Sequence, residues 1–217
     1  MTNTNVFIFF LVGALSLAFV AYRYFSGKAH AFRMFGAGLA LLAVAFGVWS
    51  VIIATNPSDL HPLTTAGVIP FGLANLFFVA AGTSDFGPRA RGILLTVAAV
   101  VLAGLFVART FVWPSEPKIN DSGFFYFHAN PVAILLYVVV FAGALMPAVH
   151  IVSLHTAARQ TAIFTRLFFN LVALSAVVLL VVENNDELQN LNGYVLLAGL
   201  IGLVVTHARK SPEFISQ

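Results

Sequence analysis

Charged residues are scarce in this sequence of 217 residues: Asp, Glu, Lys and Arg together make up 9% of it. A typical water-soluble protein carries about 25% charged residues, which keep its surface hydrated. Hydrophobic residues make up 60% of the chain, and its mean hydropathy is +0.95. These values exclude a water-soluble domain. They also exclude an intrinsically disordered chain, which needs low hydrophobicity and high net charge. The composition predicts an integral membrane protein.

Cysteine is absent from the sequence. Its absence excludes disulfides, thiolate catalysis and cysteine-ligated zinc or iron–sulfur centres. The formal net charge of +3 is typical of nucleic-acid-binding proteins as well as of membrane proteins. The basic residues flank apolar segments, which is the pattern expected of membrane topology. We therefore expect the lipid bilayer, and no nucleic acid, as a partner.

Seven apolar segments are long enough to cross a membrane, since about 30 Å of hydrocarbon requires roughly 20 helical residues. Their residues are continuously apolar, which disfavours the alternating pattern of a spanning β-barrel. We predict an all-α fold, a single seven-transmembrane-helix bundle over residues 1–217 with no soluble domain. The predicted spans are 5–22, 34–54, 63–82, 91–112, 131–152, 162–182 and 190–207.

The basic residues between these spans are distributed asymmetrically. Arg109 and Lys118 alone fall on one side of the predicted bilayer, and nine basic residues fall on the other. Because cytoplasmic loops are enriched in Lys and Arg, this asymmetry predicts an outside N-terminus and a cytoplasmic C-terminus. The predicted location is the cell membrane, plasma or inner, in a multi-pass arrangement. The nine residues are Arg23, Lys28, Arg33, Arg89, Arg91, Arg159, Arg166, Arg209 and Lys210.

Pairs of small residues four positions apart predict where helices pack closely in lipid. Two such pairs in the second span predict a central, tightly packed helix, and the fourth span contains another. The pairs are Gly36 with Ala40, Ala43 with Gly47, and Ala99 with Ala103.

Charged side chains are also missing from the centre of every predicted span. Such charges are typical of pumps and ion-coupled carriers, so their absence argues against both. Arg109 comes closest to a span centre, but it lies within one turn of a span end, and we expect its long side chain to reach the interface. No motif of a reaction or of a cofactor site is present, and we predict no cofactor.

Polar residues and prolines inside or beside the spans are the candidate ligand-binding residues. An amide in hydrocarbon is expected to face a partner helix or a cavity, which singles out Asn75 and Asn170. Pro70 and Pro147 are expected to kink their helices, and the carbonyls that they free can serve a ligand. His128 lies near the end of the longest loop between the predicted spans and is the remaining candidate ligand-binding residue. The alternative role of the two amides is a structural one, hydrogen bonding between helices. The alternative role of the two prolines is to shape their own helices without binding a ligand.

Acidic residues and histidines collect on the predicted outer face. His61, His128, Glu183 and Asp186 are candidate metal ligands there, since oxygen and imidazole donors suit divalent cations. The alternative is a solvated acidic loop, which the topology rule alone would produce.

Three classes of function remain open at this point. The first is a non-catalytic membrane protein that binds a partner membrane protein, a second copy of itself, or an apolar or lipidic ligand, as an accessory or receptor-like subunit. The second is a uniporter-like carrier of a small neutral molecule. The third is a lipid-modifying membrane enzyme, for which the sequence provides no catalytic constellation.

Overall fold

The computed structural model of the chain describes residues 3–27, 29–55, 61–114, 118–119, 125–126, 131–132, 135–136, 138–139, 143 and 185–208. At 3–5, 61–65, 118–119, 125–126, 186 and 189 the description covers the backbone. These residues confirm the helical fold class, with one two-residue β pair in addition.

Five α-helices and one π-helical turn make up most of the described chain. The α-helices are α1 (Asn3–Phe25), α2 (His30–Thr55), α3 (His61–Gly82), α4 (Pro88–Val107) and α5 (Asp186–Ala208), and the π turn (Ala108–Val112) follows α4 directly. Strand β1 (Lys118–Ile119) pairs antiparallel with β2 (Phe125–Tyr126). The described residues between 131 and 143 are also helical.

Four helices in the described part of the chain are long and apolar enough to cross a membrane. They are Val6–Phe25, His30–Thr55, Pro88–Val112 and Asn190–Ala208, and Ala66–Gly82 of α3 is a shorter apolar helix. The predicted span 162–182 lies outside the described residues, and the predicted span 131–152 lies largely outside them.

Local sequence signals place two of the helix starts. Pro88 is in the first turn of α4, where its fixed φ suits a helix and its missing N–H removes no intrahelical bond. Asn185 caps α5: its side-chain oxygen accepts hydrogen bonds from the backbone N–H groups of Glu187, at 3.0 Å, and Leu188, at 3.2 Å. Such a cap satisfies N–H groups that a helix cannot satisfy internally.

Helix α2 packs along both α1 and α3, and 14 of its 26 residues are buried. Trp49 of α2 lies between the two neighbours, with its ring centroid 5.9 Å from that of Phe10 on α1 and 6.0 Å from that of Phe71 on α3. Offset and edge-on aromatic pairs of this kind stabilise a core beyond the area that they bury. The buried rings therefore join the three helices into one block, which α5 covers on the α1 side.

Close helix contacts in this block depend on glycine. At Gly36, a Cβ would lie 3.0 Å from the carbonyl oxygen of Ala21 on α1, and at Gly38 it would overlap the ring of Phe78 on α3. The predicted central position of the second span agrees with these contacts. Gly47, in the second predicted pair, has no neighbouring atom within 4 Å and marks no close contact.

Helix α4 packs much less closely than α2. It contacts α3, and Leu102 is the one buried residue among its 20, all of which are described. Four of its apolar side chains, Ile93, Val97, Val100 and Val107, are half or more exposed, as expected of a helix that faces lipid. The space between α4 and α3 is the candidate functional site.

Candidate functional site

A cleft of about 340 Å³ lies between α3, α4 and the helical residues near Leu136. It is partly open, and two of its lining residues on α3, Ile69 and Leu73, are each nearly half exposed. Positions on α3 and α4 that follow helical spacing form its two long walls, so each helix presents one face to the cleft. The lining residues are Val68, Ile69, Gly72, Leu73, Leu76, Ala99, Leu102, Ala103, Phe106 and Leu136.

Small residues create the space. A Cβ at Gly72 would meet no atom within 4 Å, although Gly72 lies in the middle of α3 and lines the cleft. Ala99 and Ala103 face it from α4. The sequence predicts close helix packing at this alanine pair. Among the described residues, the two alanines line the cleft, and close packing at them stays a prediction.

The cleft is apolar at every lining residue that the structure describes. The ten lining residues are Gly72 and nine residues with aliphatic or aromatic side chains. None of these ten can act as an acid, a base, a nucleophile or a metal ligand. A site of this size and lining binds an apolar group by shape and dispersion. Hydrophobic exclusion adds little where lipid is the competing solvent.

Pro70, a predicted ligand-binding residue, is buried in α3 next to the cleft-lining residue Ile69. Proline has no N–H, so the carbonyl of Ala66 cannot receive the usual hydrogen bond from four residues ahead. Pro70 is therefore adjacent to the cleft wall and is not part of its lining.

Asn75, the second predicted residue on α3, is 1% exposed and bonds between helices. Its side-chain nitrogen donates a 2.7 Å hydrogen bond to the carbonyl of Val139. Gly143 lies so close that a Cβ there would overlap the Asn75 amide. Because Gly143 has no side chain, the Asn75 amide can approach the backbone of the neighbouring helix and bond to the Val139 carbonyl. This contact is the interhelical hydrogen bonding that the sequence offers as the alternative to ligand binding at Asn75.

Arg109 is placed differently from the sequence expectation. Its side chain is completely buried, so the prediction that it reaches the interface is wrong. It lies in the π turn at the end of α4, where the Thr110 hydroxyl donates a 2.8 Å hydrogen bond to the carbonyl of Phe106. π turns are rare and often occur at functional sites. The sequence carries no signal for the turn, because its residues are ordinary helix residues.

The remaining predicted site residues are not brought together by the described structure. His128, Pro147, Asn170 and Glu183 lie outside the described residues. His61 and Asp186 are the first residues of α3 and of α5, and their side chains lie outside the description. Among the side chains that are described, no group of three potential metal ligands occurs.

The acidic run near Glu183 contains a helix start. Asn185 caps α5, and Asp186 and Glu187 occupy its first turn, where negative charge stabilises the helix dipole. The capping and the charge at the helix start are a structural role for Asn185, Asp186 and Glu187 that requires no metal ion.

Comparison of the chain with models of protein families, with curated proteins and with solved structures gives no match.

Proposed function

We propose that this chain is a non-catalytic, multi-pass protein of the cell membrane that binds an apolar or lipidic ligand in the cleft between α3 and α4. The observation that carries the proposal is the cleft itself: about 340 Å³, partly open, and apolar at each of its ten described lining residues. The partial exposure of the lining residues Ile69 and Leu73 on an apolar helix supports access from the bilayer, where such ligands are concentrated.

The proposal includes the topology predicted from the sequence. It comprises seven spanning helices, an outside N-terminus and a cytoplasmic C-terminus. The four long apolar helices support the spanning character, and the distribution of Lys and Arg supports the direction.

The lining of the cleft also favours binding over the two alternative classes. A uniporter-like carrier of a small neutral molecule needs hydrogen-bonding groups along its path wherever that molecule is polar, and a lipid-modifying enzyme needs an acid, a base or a nucleophile at its site. None of the cleft-lining residues provides such a group. Association with a partner membrane protein is compatible with ligand binding, since the exposed face of α4 is separate from the cleft.

The test is photolabelling with a probe that the cleft should concentrate. Purified protein in phosphatidylcholine nanodiscs is exposed to 1-hexadecanol that carries a diazirine on its chain, and the labelled peptides are identified by mass spectrometry. We expect labelling within 68–76 and 99–106. Gly72→Leu adds a side chain to the cleft at a position where a Cβ meets no atom within 4 Å, and it should reduce this labelling about tenfold.

Gly104→Leu is the matched control. Gly104 also has no atom within 4 Å of a Cβ, but it does not line the cleft, so labelling should be unchanged. Two results together would contradict the proposal. The exposed residues of α1, such as Leu15, would be labelled as strongly as 68–76 and 99–106, and Gly72→Leu would leave the labelling of 68–76 and 99–106 unchanged.

A further inference from the structure

We infer that the ligand is an uncharged lipid with a hydroxyl group at its head, and that this hydroxyl donates a hydrogen bond to the backbone carbonyl of Ala66 at one end of the cleft. This inference rests on the proposed function, and it adds the chemical class of the ligand. Three features support it: the position of Pro70 inside α3, the exposure of Ala66 beside the cleft, and the position of Ala66 at the boundary of the apolar segment.

Pro70 leaves one backbone acceptor of α3 without its helical donor. In a regular helix the carbonyl of Ala66 accepts a hydrogen bond from the N–H of residue 70, and proline has no N–H. The proline ring also crowds this carbonyl and opens the helix at that turn. Because a backbone carbonyl without a donor is costly in hydrocarbon, a ligand that brings a donor to it is stabilised.

Ala66 lies on the exposed side of α3, at one end of the cleft. Ala66, Ile69 and Leu73 follow one another at intervals of three and four residues, which places them on one face of the helix, and all three are exposed. Ile69 and Leu73 also line the cleft. A helical carbonyl points along the axis towards the next turn, so the acceptor lies at the level of Val68 and Ile69, the first lining residues on α3. A chain in the cleft therefore ends beside this acceptor.

The position of Ala66 along α3 suits the head of a lipid. Thr64 and Thr65 directly precede it, whereas residues 66–74 are all apolar. Leu76, the last lining residue on α3, is ten residues beyond Ala66, which corresponds to about 15 Å at 1.5 Å per residue, or half of a hydrocarbon thickness of about 30 Å. A lipid with its head at Ala66 thus reaches the far end of the cleft within one leaflet.

A carbonyl acceptor selects the chemistry of the head group. Its oxygen accepts hydrogen bonds and donates none, so it favours a head that carries a donor. A hydroxyl provides a donor without a charge, whose burial beside apolar walls is costly. Phosphatidylcholine, in contrast, has no N–H or O–H donor. The acceptor therefore distinguishes an uncharged hydroxy-lipid from a phosphatidylcholine bilayer around it.

The test compares 1-hexadecanol with hexadecyl methyl ether as competitors of the diazirine probe, each at the same mole fraction in phosphatidylcholine nanodiscs. The two compounds have the same chain, and the ether lacks the donor hydrogen. In the unaltered protein we expect the alcohol to compete about fivefold more strongly than the ether.

Pro70→Ala supplies the missing N–H, which bonds to the Ala66 carbonyl within the helix. This variant should lower competition by the alcohol to that by the ether. Pro88→Ala is the matched control, because Pro88 lies in the first turn of α4, where its missing N–H leaves no helical carbonyl without a donor. It should preserve the preference for the alcohol.

The possible outcomes separate this inference from the proposed function. Equal competition by alcohol and ether in the unaltered protein overturns the hydroxyl assignment and leaves the cleft as a lipid site. Labelling that neither compound reduces, and that Gly72→Leu does not change, overturns both. Stronger competition by dioleoyl phosphatidylethanolamine, which carries a charged donor, than by the alcohol overturns the assignment of an uncharged head.

A second variant covers the case in which Pro70→Ala changes the shape of the cleft and competition by the ether changes as well. Lactic acid, incorporated at position 70 by nonsense suppression, has the side chain of alanine but an ester oxygen in place of the N–H, so the Ala66 carbonyl stays without a donor. A preference for the alcohol that is present with lactic acid and absent with alanine supports the inference. Equal preference in these two variants contradicts it.

Discussion

Helices α2 and α4 have nearly the same mean hydropathy, and yet they pack very differently. Fourteen of the 26 residues of α2 are buried, whereas α4, described over its whole length, buries Leu102 alone among 20. In water an apolar helix as exposed as α4 would associate with another surface. In lipid it need not, because the surrounding chains are as apolar as its own side chains.

The difference therefore lies in shape. In α2, glycines and large aromatic rings alternate along faces that meet α1 and α3, so backbones approach each other and rings fill the gaps. In α4 the glycines have no neighbouring atom at their Cβ positions, and two of the alanines, Ala99 and Ala103, face the cleft. Stability is thus expected to be concentrated in the block of α1, α2 and α3, and the ligand site to lie at the weaker contact between α3 and α4.

The largest expected effect is the loss of a ring from this block. Phe46 is 2% exposed and lies with its ring centroid 5.6 Å from Phe10 and 5.4 Å from Trp49. Phe46→Ala should lower the free energy of unfolding by about 2–4 kcal/mol, because a cavity remains where the ring packed. The measurement is the midpoint of unfolding by sodium dodecyl sulfate in mixed micelles, followed by circular dichroism.

Phe111→Ala is the matched control at the end of α4. This ring is 75% exposed, and its removal should change the free energy of unfolding by less than about 0.5 kcal/mol. Equal losses in the two variants would show that the block does not hold most of the stability.

A smaller effect is expected from a single added methyl group. Gly38→Ala places a Cβ on the ring of Phe78, and the repacking should cost about 1–3 kcal/mol. Gly104→Ala on α4 meets no atom within 4 Å and should be neutral or stabilise the helix by up to about 1 kcal/mol. Unfolding midpoints of the two variants that shift in the same direction would remove the proposed contrast between tight and open glycines.

The smallest effect concerns a hydrogen bond. Asn75→Leu removes the donor to the Val139 carbonyl and should lower the free energy of unfolding by about 1 kcal/mol, a typical value between helices in lipid. Thr96→Val on α4 removes a hydroxyl that bonds within its own helix, to Gly92, and should have no measurable effect. If the Asn75 variant unfolds at the unaltered midpoint, the interhelical bond contributes nothing to stability.

Helix positions could be read from the sequence because each apolar segment must be long enough for the bilayer. The predicted spans 34–54 and 91–112 fall within His30–Thr55 and Pro88–Val112. The direction in which each helix faces was harder to read. Gly36 and Ala99 belong to the same sequence pattern, but one meets a backbone and the other a cleft.

The candidate site could not be read from the sequence for a related reason. A cleft is defined by the space between helices, and its residues are ordinary apolar residues such as Leu76 and Leu102. Asn75 was found as a buried amide, but its acceptor, a backbone carbonyl, has no sequence signal. The position of Arg109 depends on the π turn, which changes the direction of side chains without requiring any special residue.

The contact between Asn75 and Val139 also has a consequence for the order of synthesis. The two residues are 64 positions apart, and the chain is made from its N-terminus, so α3 exists before its acceptor does. Until then the amide has to be held in hydrocarbon or at the interface, which costs free energy. The hydrogen bond of Asn75 therefore forms only after Val139 has been made, and Gly143 then leaves room for the amide.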